Sequence, residues 1–353
     1  MLNIFKGWFR KYFSNEEAVI LLLLVVGSFL ALRYLGSMLS PLLASIVIAY
    51  ILQGLVYRVG RVGLPHLGAV MVVFLVFVGL TLGFLFFLMP LVVAQLTSLI
   101  KQVPVMLSSI QVYLKQLPEQ YPQFISEETV VSISRELATE ASSMTQWILS
   151  FSLSSIPVLV TVLIYSVLVP ILVFFLLKDR ELIIRSLTAI LPAERSLMKQ
   201  IWTESNLQFA NYIRGKVVEI ILVGVVTWTS FMWLGVEYAA LLGFLNGLSV
   251  VIPYIGAAVV TVPVAMVGLI QWGWGSEFIW LMTIYGIIQA LDGNVLVPLL
   301  FSEVVNLHPI VIIVSVLLFG GLWGIWGVFF AIPLATLFKA IFSSWPTTHH
   351  AEP

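Results

Sequence analysis

The fold of this chain is decided by stretches such as residues 66–92, which read HLGAVMVVFLVFVGLTLGFLFFLMPLV. After His66 this stretch has no ionisable side chain, and it exceeds the roughly 20 residues that cross a hydrocarbon core about 30 Å thick. It predicts a membrane-spanning α-helix, because the apolar residues are continuous and do not alternate as in the strands of a membrane barrel. Similar runs predict further spans at 18–36, 38–57, 154–177, 217–235 and 279–297.

The composition also indicates that the lipid bilayer is the solvent. Of 353 residues 60% are hydrophobic and 10% charged, whereas about a quarter are charged in a typical soluble domain. The formal net charge is zero and there is no cysteine, so nothing favours a nucleic-acid partner, and disulfides and thiolate chemistry are excluded. Asp179 and Asp292 are the two aspartates. They cannot supply an intramembrane catalytic dyad or a metalloprotease motif, so we expect neither an enzyme nor a cofactor.

Basic residues are concentrated on one side of the predicted spans, in the N-terminal tail, the 58–65 turn, the 178–216 segment and the C-terminal end. Segment 178–216 alone carries Lys178, Arg180, Arg185, Arg195, Lys199, Arg214 and Lys216. Because basic loops are retained in the cytoplasm, both termini are expected there. The multi-pass chain is therefore expected to be N-in and C-in.

The water-facing parts divide the chain into regions. Residues 93–150 predict an extracytoplasmic helical hairpin, with a heptad stripe from Leu96 to Leu117, prolines at 118 and 122, and a second striped helix after Ser126. The stripes either bury each other or also pack against other protomers. The predicted regions are a scaffold at 1–92, this hairpin, a fourth span with a cytoplasmic amphipathic segment at 151–216, a transport region at 217–342 and a polar tail at 343–353.

The cytoplasmic segment 178–216 predicts an amphipathic helix after Pro192. Its apolar face is expected on the membrane surface or on the helical bundle. The residues assigned to that face are Leu197, Ile201, Leu207, Ala210 and Ile213.

Two apolar regions of the transport region, 237–272 and 308–342, are interrupted near their middles. The first is broken at Pro253, Tyr254 and Gly256, and the second by glycines and a later proline. Broken helices are tolerated in lipid only where protein or a water-filled cavity satisfies the backbone. They are therefore either re-entrant helical hairpins or two ordinary kinked helix pairs. The breaks of the second region are Gly320, Gly321, Gly324, Gly327 and Pro333.

These breaks repeat in opposite orientations. Span 217–235 runs outward before one broken region, and span 279–297 runs inward before the other. Such an inverted pair indicates a substrate site near the membrane midplane of a secondary transporter. Gly320, Gly321 and Gly324, at the second break, are therefore candidate residues of the pathway. The predicted fold is thus an all-α polytopic membrane protein with about six full spans and two re-entrant hairpins, about eight hydrophobic segments in total.

Polar residues inside the apolar zone are the candidate site. Asp292 lies within span 279–297, on the same helix face as Gln289 and close to Asn294. A carboxylate in lipid is costly unless it is paired or faces a pathway. Three roles for Asp292 are therefore open. It binds a cation, a proton or a polar substrate; it forms a structural salt bridge or helix cap; or it lies at the interface between membrane and water. Further candidates are Glu219, Asn246, Tyr254 and His308, of which His308 precedes Pro309 and fits a structural role at a helix start.

The C-terminal motifs resemble the autoinducer-2 exporter (AI-2E) family. They are QALDGNVLVP at 289–298, Leu307-His308-Pro309, GGLWGIWG at 320–327 and AIPL at 331–334. Pro253-Tyr254-Ile255-Gly256, Lys178-Asp179 and Gly215 fit the same pattern. Phe301-Ser302-Glu303, where many members have a glycine, resembles the PerM-type permease branch rather than the signalling-molecule exporters.

The resemblance implies a bacterial inner-membrane transporter that assembles as a homo-oligomer, with a pentamer as the expected form. It implies export of a signalling molecule such as autoinducer-2, or sodium/proton antiport. The site residues that the resemblance implies are Pro253, Tyr254, Gly256, Gln289, Asp292, Asn294, Pro298 and His308. The leading hypothesis is a secondary transporter of a small solute or a monovalent cation. A passive oligomeric channel and a membrane scaffold acting through the 93–150 hairpin are the alternatives.

Overall fold

The computed structural model describes residues 16–103, 130–133, 135–136, 139, 155–192, 195–253, 255–301 and 307–345, and every regular element within them is helical. Eight of the described helices are long and apolar enough to cross a membrane. The chain is therefore a polytopic all-α membrane protein, as predicted. The helices are α1 (Glu16–Gly36), α2 (Met38–Gly60), α3 (His66–Val103), α4 (Ser155–Lys178), α5 (Arg180–Ala189), α6 (Ser196–Trp233), α7 (Ala239–Ser249), α8 (Ile255–Trp272), α9 (Ser276–Phe301) and α10 (Pro309–Ser344).

Helices α1 and α2 follow each other without a loop but do not continue in one direction. Glu17 Oε1 accepts from the Met198 backbone N–H at 2.7 Å, and the Tyr50 hydroxyl donates to the Asn206 backbone oxygen at 3.1 Å. A straight helix would place residues 17 and 50 about 50 Å apart at 1.5 Å per residue, whereas residues 198 and 206 are about 12 Å apart along α6. The chain must turn back sharply between α1 and α2, which agrees with the two separate spans predicted there.

Helix α3 is longer than its predicted span. It continues past residue 92 to Val103, with a π-helical turn at Phe84–Leu88. The first part of the 93–150 region is thus a direct extension of a membrane helix, and Gln95 Oε1 on this extension accepts from the Leu241 N–H at the start of α7. Most of the predicted external hairpin, including both prolines, lies outside the described residues; of the second stripe, Val130 and Ile133 are described and helical.

Helix α6 joins the predicted cytoplasmic segment and the predicted fifth span into one helix. Ile201, Ala210 and Ile213 are buried, so this part of the apolar face packs on the bundle, which is one of the two positions expected for it. Leu207 is 63% exposed and does not share this packing. α6 is the central element, because it packs against α2, α7, α9 and α10.

The first broken region forms a helical hairpin, called hairpin 1, made of α7, a turn that includes residues 250–253, and α8. The turn follows Val250, and Gly256 at the start of α8 donates its N–H to the Ile252 oxygen at 3.0 Å. A Cβ on Gly256 would overlap the backbone oxygen of Ser249 in α7. The two arms therefore touch through their backbones at the turn.

The second broken region is also a hairpin, called hairpin 2, although its helical hydrogen bonding is nearly continuous. Gly324 has φ +61° and ψ −136°, a conformation that breaks the helix and that glycine adopts readily. Val316 and Ala331 pack in one buried cluster, whereas a straight helix would separate them by about 22 Å. The chain therefore reverses at Gly324, as predicted for a hairpin and unlike a kinked span.

In both hairpins, a glycine of the second arm packs directly against a backbone oxygen of the first arm. In hairpin 2 a Cβ on Gly327 would overlap the backbone oxygen of Phe319, as one on Gly256 would overlap the Ser249 oxygen in hairpin 1. Each second arm also contains an internal proline a few residues later, Pro263 and Pro333. The two hairpins thus share the same backbone contact at their turns.

The turns of the two hairpins meet inside the bundle. Ile252, in the turn of hairpin 1, packs against the cluster that Val316, Phe319 and Ala331 form in hairpin 2. Phe29 of α1 covers the same cluster, with its ring centroid 4.2 Å from that of Trp323. Both hairpins are therefore anchored at their turns against other helices.

The reversal at Gly324 predicts a short cross-link. The chain has no native cysteine, so cysteines at Val316 and Ala331 can be introduced without background. We expect a short bifunctional thiol reagent to join them, because the two residues share one packed cluster. Mass spectrometry of the digested protein measures the product.

The matched control is a cysteine pair at Thr203 and Val218, which has the same sequence separation within α6. That pair should remain unlinked, since a straight helix separates its members by about 22 Å. Equal cross-linking of both pairs would contradict the hairpin.

Candidate functional site

Charged side chains enter the bundle where α6, α9 and the turn of hairpin 1 come together. Lys216 and Glu219 are the fully buried charged residues of the described chain. Asp292 lies opposite on α9 and is half-buried. These three residues are called the ion-pair cluster below.

Lys216 and Glu219 form a buried ion pair. Lys216 Nζ lies 2.6 Å from Glu219 Oε2, and the two side chains are 5% and 2% exposed. Their spacing of three residues places them on one face of α6. Removing two charges from water costs several kcal/mol per ion, and a close pair recovers it only with good geometry and further hydrogen bonds.

Lys216 has two further contacts that hold it in place. Its Nζ donates to the Val250 backbone oxygen at 2.8 Å, which ties α6 to the turn of hairpin 1. The same atom lies 5.2 Å from the ring centroid of Phe301, a cation–π distance. Gly215 makes room for this ring, because a Cβ there would lie 2.8 Å from Phe301 Cε1.

Asp292 lies at a local distortion of α9. It begins the π-helical turn Asp292–Leu296, and such turns occur frequently at functional sites. Its Oδ1 is buried and has no hydrogen-bond partner among the described residues. Asp292 interacts electrostatically with Lys216, which attracts it, and with Glu219, which repels it. Glu219 Oε2 also has no hydrogen-bond partner within the described chain but is held by the ion pair with Lys216, so Asp292 Oδ1 is the carboxylate oxygen with neither kind of partner.

A chain of uncharged polar groups continues from the cluster along α9. Gln289 Nε2 donates to Asn246 Oδ1 at 2.8 Å, and Asn246 Nδ2 donates to the Thr227 hydroxyl at 2.8 Å. One turn further along α9, the Tyr285 hydroxyl donates to the Ala257 oxygen at 3.0 Å. These bonds join α6, α9 and both arms of hairpin 1.

The structure brings part of the predicted site together. Asp292, Glu219, Gln289 and Asn246 lie in this polar zone, and Pro253 and Gly256 form the adjacent turn. Gly320, Gly321 and Gly324 lie instead at the turn of hairpin 2, in or next to the cluster of Phe29 and Trp323. Tyr254 lies outside the described residues.

Three other predicted site residues do not point into the polar zone. Asn294 is exposed and donates to Ala290 of its own helix at 2.9 Å. Pro298 is exposed. His308 is exposed and caps α10, its Nδ1 accepting from the Ile310 N–H at 3.3 Å, which agrees with the structural role considered for it.

Sequence reasoning missed Lys216, Thr227 and Tyr285. Lys216 was assigned to a basic cytoplasmic segment, although its place three residues before Glu219, at the start of an apolar run, was the available signal. Tyr285 and Gln289 are four apart and precede Asp292 on one face of α9. Thr227 had no such signal.

The ion-pair cluster has one ammonium and two carboxylates, so its formal charge is −1 when all three are ionised. A site of this kind can bind one monovalent cation or one proton. Among the described residues, no group of three or more histidine, aspartate and glutamate side chains comes together as a metal site.

The two hairpins and the buried charges inside a polytopic helical bundle are features typical of a membrane transport protein. The sequence profile of the AI-2E family transporters matches residues 19–347. The chain belongs to this family, as its motifs indicated.

Relatives support this assignment along the whole chain. An Escherichia coli (strain K12) protein named as a permease, PerM, is 46% identical over 352 residues, which covers 100% of both chains. A Bacillus subtilis (strain 168) protein named as a transport protein, YueF, is 26% identical over 88% of this chain and 84% of its own. A Synechocystis protein named as a transport protein is 25% identical over 95% of this chain and 87% of its own.

Proposed function

We propose that this protein is a secondary transporter that exchanges a monovalent cation for protons, with Asp292 as the binding carboxylate. The observation that carries the proposal is the buried, unpartnered Oδ1 of Asp292 beside a buried Lys216–Glu219 pair. Ionisable groups within membrane helices usually mark ion pathways, because an unused charge in lipid is costly.

The hairpins supply a place where a pathway can cross the protein. Each turn interrupts a membrane helix, and in lipid the backbone groups at such a break must be satisfied by protein or face a water-filled cavity. Hairpin 1 contacts the ion-pair cluster through Val250, and hairpin 2 contacts hairpin 1 through Ile252. In the proposed mechanism, a movement of the hairpins opens the cluster to one side of the membrane at a time.

The remaining parts of the proposal concern the setting of the transporter. We place it in a bacterial inner membrane as a homo-oligomer, with both termini in the cytoplasm. A small signalling solute such as autoinducer-2 is the alternative cargo, coupled to the same cation site.

Replacing Asp292 by asparagine should abolish sodium/proton exchange. The protein is reconstituted into vesicles containing a pH-sensitive dye, and a sodium gradient is imposed at several pH values. Wild-type protein should change the internal pH, whereas Asp292→Asn should match protein-free vesicles, because an amide binds neither a proton nor a cation with comparable strength. Autoinducer-2 uptake is measured in parallel.

Asp179→Asn is the matched control. Asp179 is the other aspartate of the chain and lies directly after α4, where its Oδ1 is 3.7 Å from Lys178 Nζ. This variant should exchange at the wild-type rate. Full exchange by correctly assembled Asp292→Asn protein would refute the assignment.

A further inference from the structure

Glu219 and Asp292 are two carboxylates beside one ammonium. Lys216 Nζ is 2.6 Å from Glu219 Oε2, while Asp292 Oδ1 has no hydrogen-bond partner among the described residues. The ammonium is attracted to both carboxylates. In this structure Lys216 is therefore paired with Glu219 and not with Asp292.

We propose that Glu219 holds Lys216 away from Asp292, which keeps Asp292 available to one monovalent cation. This inference rests on the proposed function and assigns Lys216 and Glu219 as positioning residues of the same site. Lysine suits this role, because its flexible stem carries a compact charge that can change partners.

The contacts of Lys216 explain why its preferred position is on the Glu219 side. Glu219 is on the same helix face as its ion-pair partner Lys216, and the Val250 oxygen accepts a hydrogen bond from the same ammonium. Asp292 lies on another helix, so a change of partner would also release the turn of hairpin 1. Occupation of Asp292 by a cation would keep Lys216 on Glu219 by electrostatic repulsion.

The inference predicts that Glu219→Gln weakens cation binding while Asp292 is intact. With its carboxylate partner neutral, Lys216 should pair with Asp292 and compete with sodium. We expect the apparent KM for sodium in the vesicle assay to rise at least about tenfold, with the maximal rate within about twofold. Glu204→Gln, an exposed change on the same helix, should leave KM unchanged.

A double variant then tests whether the effect comes from Lys216. Lys216→Met with Glu219→Gln removes the competing ammonium together with its partner, and Asp292 alone restores a cluster charge of −1. The apparent KM for sodium should return to within about threefold of wild type. A merely structural ion pair would give no such recovery.

The outcomes separate this inference from the proposed function. If Asp292→Asn exchanges normally, the proposed function fails and the inference fails with it. If Asp292→Asn is inactive but Glu219→Gln keeps the wild-type KM, only the inference fails. It also fails if the double variant, assembled as wild type by gel filtration, keeps the raised KM.

Discussion

Replacing Lys216 by methionine should destabilise the protein by about 3–5 kcal/mol, the usual effect of removing one partner of a buried ion pair. Glu219 would remain 2% exposed without its ammonium, and the electrostatic repulsion from Asp292 would no longer be offset. The Val250 oxygen would also lose its donor. Denaturant unfolding of the purified protein in detergent, followed by tryptophan fluorescence, measures the change.

Two comparisons identify the cause of this loss. Lys216→Met combined with Glu219→Gln should recover most of the stability, because no unpaired charge remains and methionine has a similar volume. Arg185→Met should change stability by about 0.5 kcal/mol or less, since its pair with Glu181 is on the surface. The Arg185 and Glu181 side chains are 81% and 82% exposed. A Lys216→Met variant as stable as wild type would show that the pair contributes nothing to the fold.

Much of the fold could be predicted from the sequence, because a lipid bilayer permits few backbone structures. Continuous apolar runs must be helices, and a glycine or proline break must be satisfied by protein. For this reason the breaks at Pro253 and Gly324 predicted hairpins that the structure contains. The lengths of α3 and α6 were not predictable from apolar runs, because both helices continue into polar sequence that the bundle stabilises.

The site was predicted only in part, because burial depends on tertiary packing. In the sequence, Lys216 is one of several basic residues of a predicted cytoplasmic segment. In the structure, Phe301 and the turn of hairpin 1 bury it. Gly320, Gly321 and Gly324 were assigned to the site because they interrupt an apolar run. Gly324 is needed for the reversal of the chain, and this structural role explains its occurrence without a ligand.

Replacing Gly327 by alanine should open hairpin 2. The new Cβ would overlap the backbone oxygen of Phe319 and lie 3.1 Å from the backbone nitrogen of Gly320. Neither group can rotate away as a side chain would, so the arms must separate. We expect a loss of about 3 kcal/mol, the upper end for overpacked sites, measured by the same unfolding experiment.

Gly321→Ala is the matched control, three residues before the reversal in the same hairpin. A Cβ there meets nothing within 4 Å. This variant should be as stable as wild type or about 1 kcal/mol more stable, because alanine favours the helix over glycine. The contrast between the two variants separates backbone contact from a general effect of the added methyl group.

A second measurement shows where Gly327→Ala acts. In that variant the cross-link between cysteines at Val316 and Ala331 should fall, since the arms that carry them have moved apart. Gly256→Ala, the equivalent change in hairpin 1, should destabilise the protein similarly but keep this cross-link, because its clash is with Ser249. If Gly327→Ala keeps both the cross-link and the stability, the backbone contact does not hold the hairpin closed.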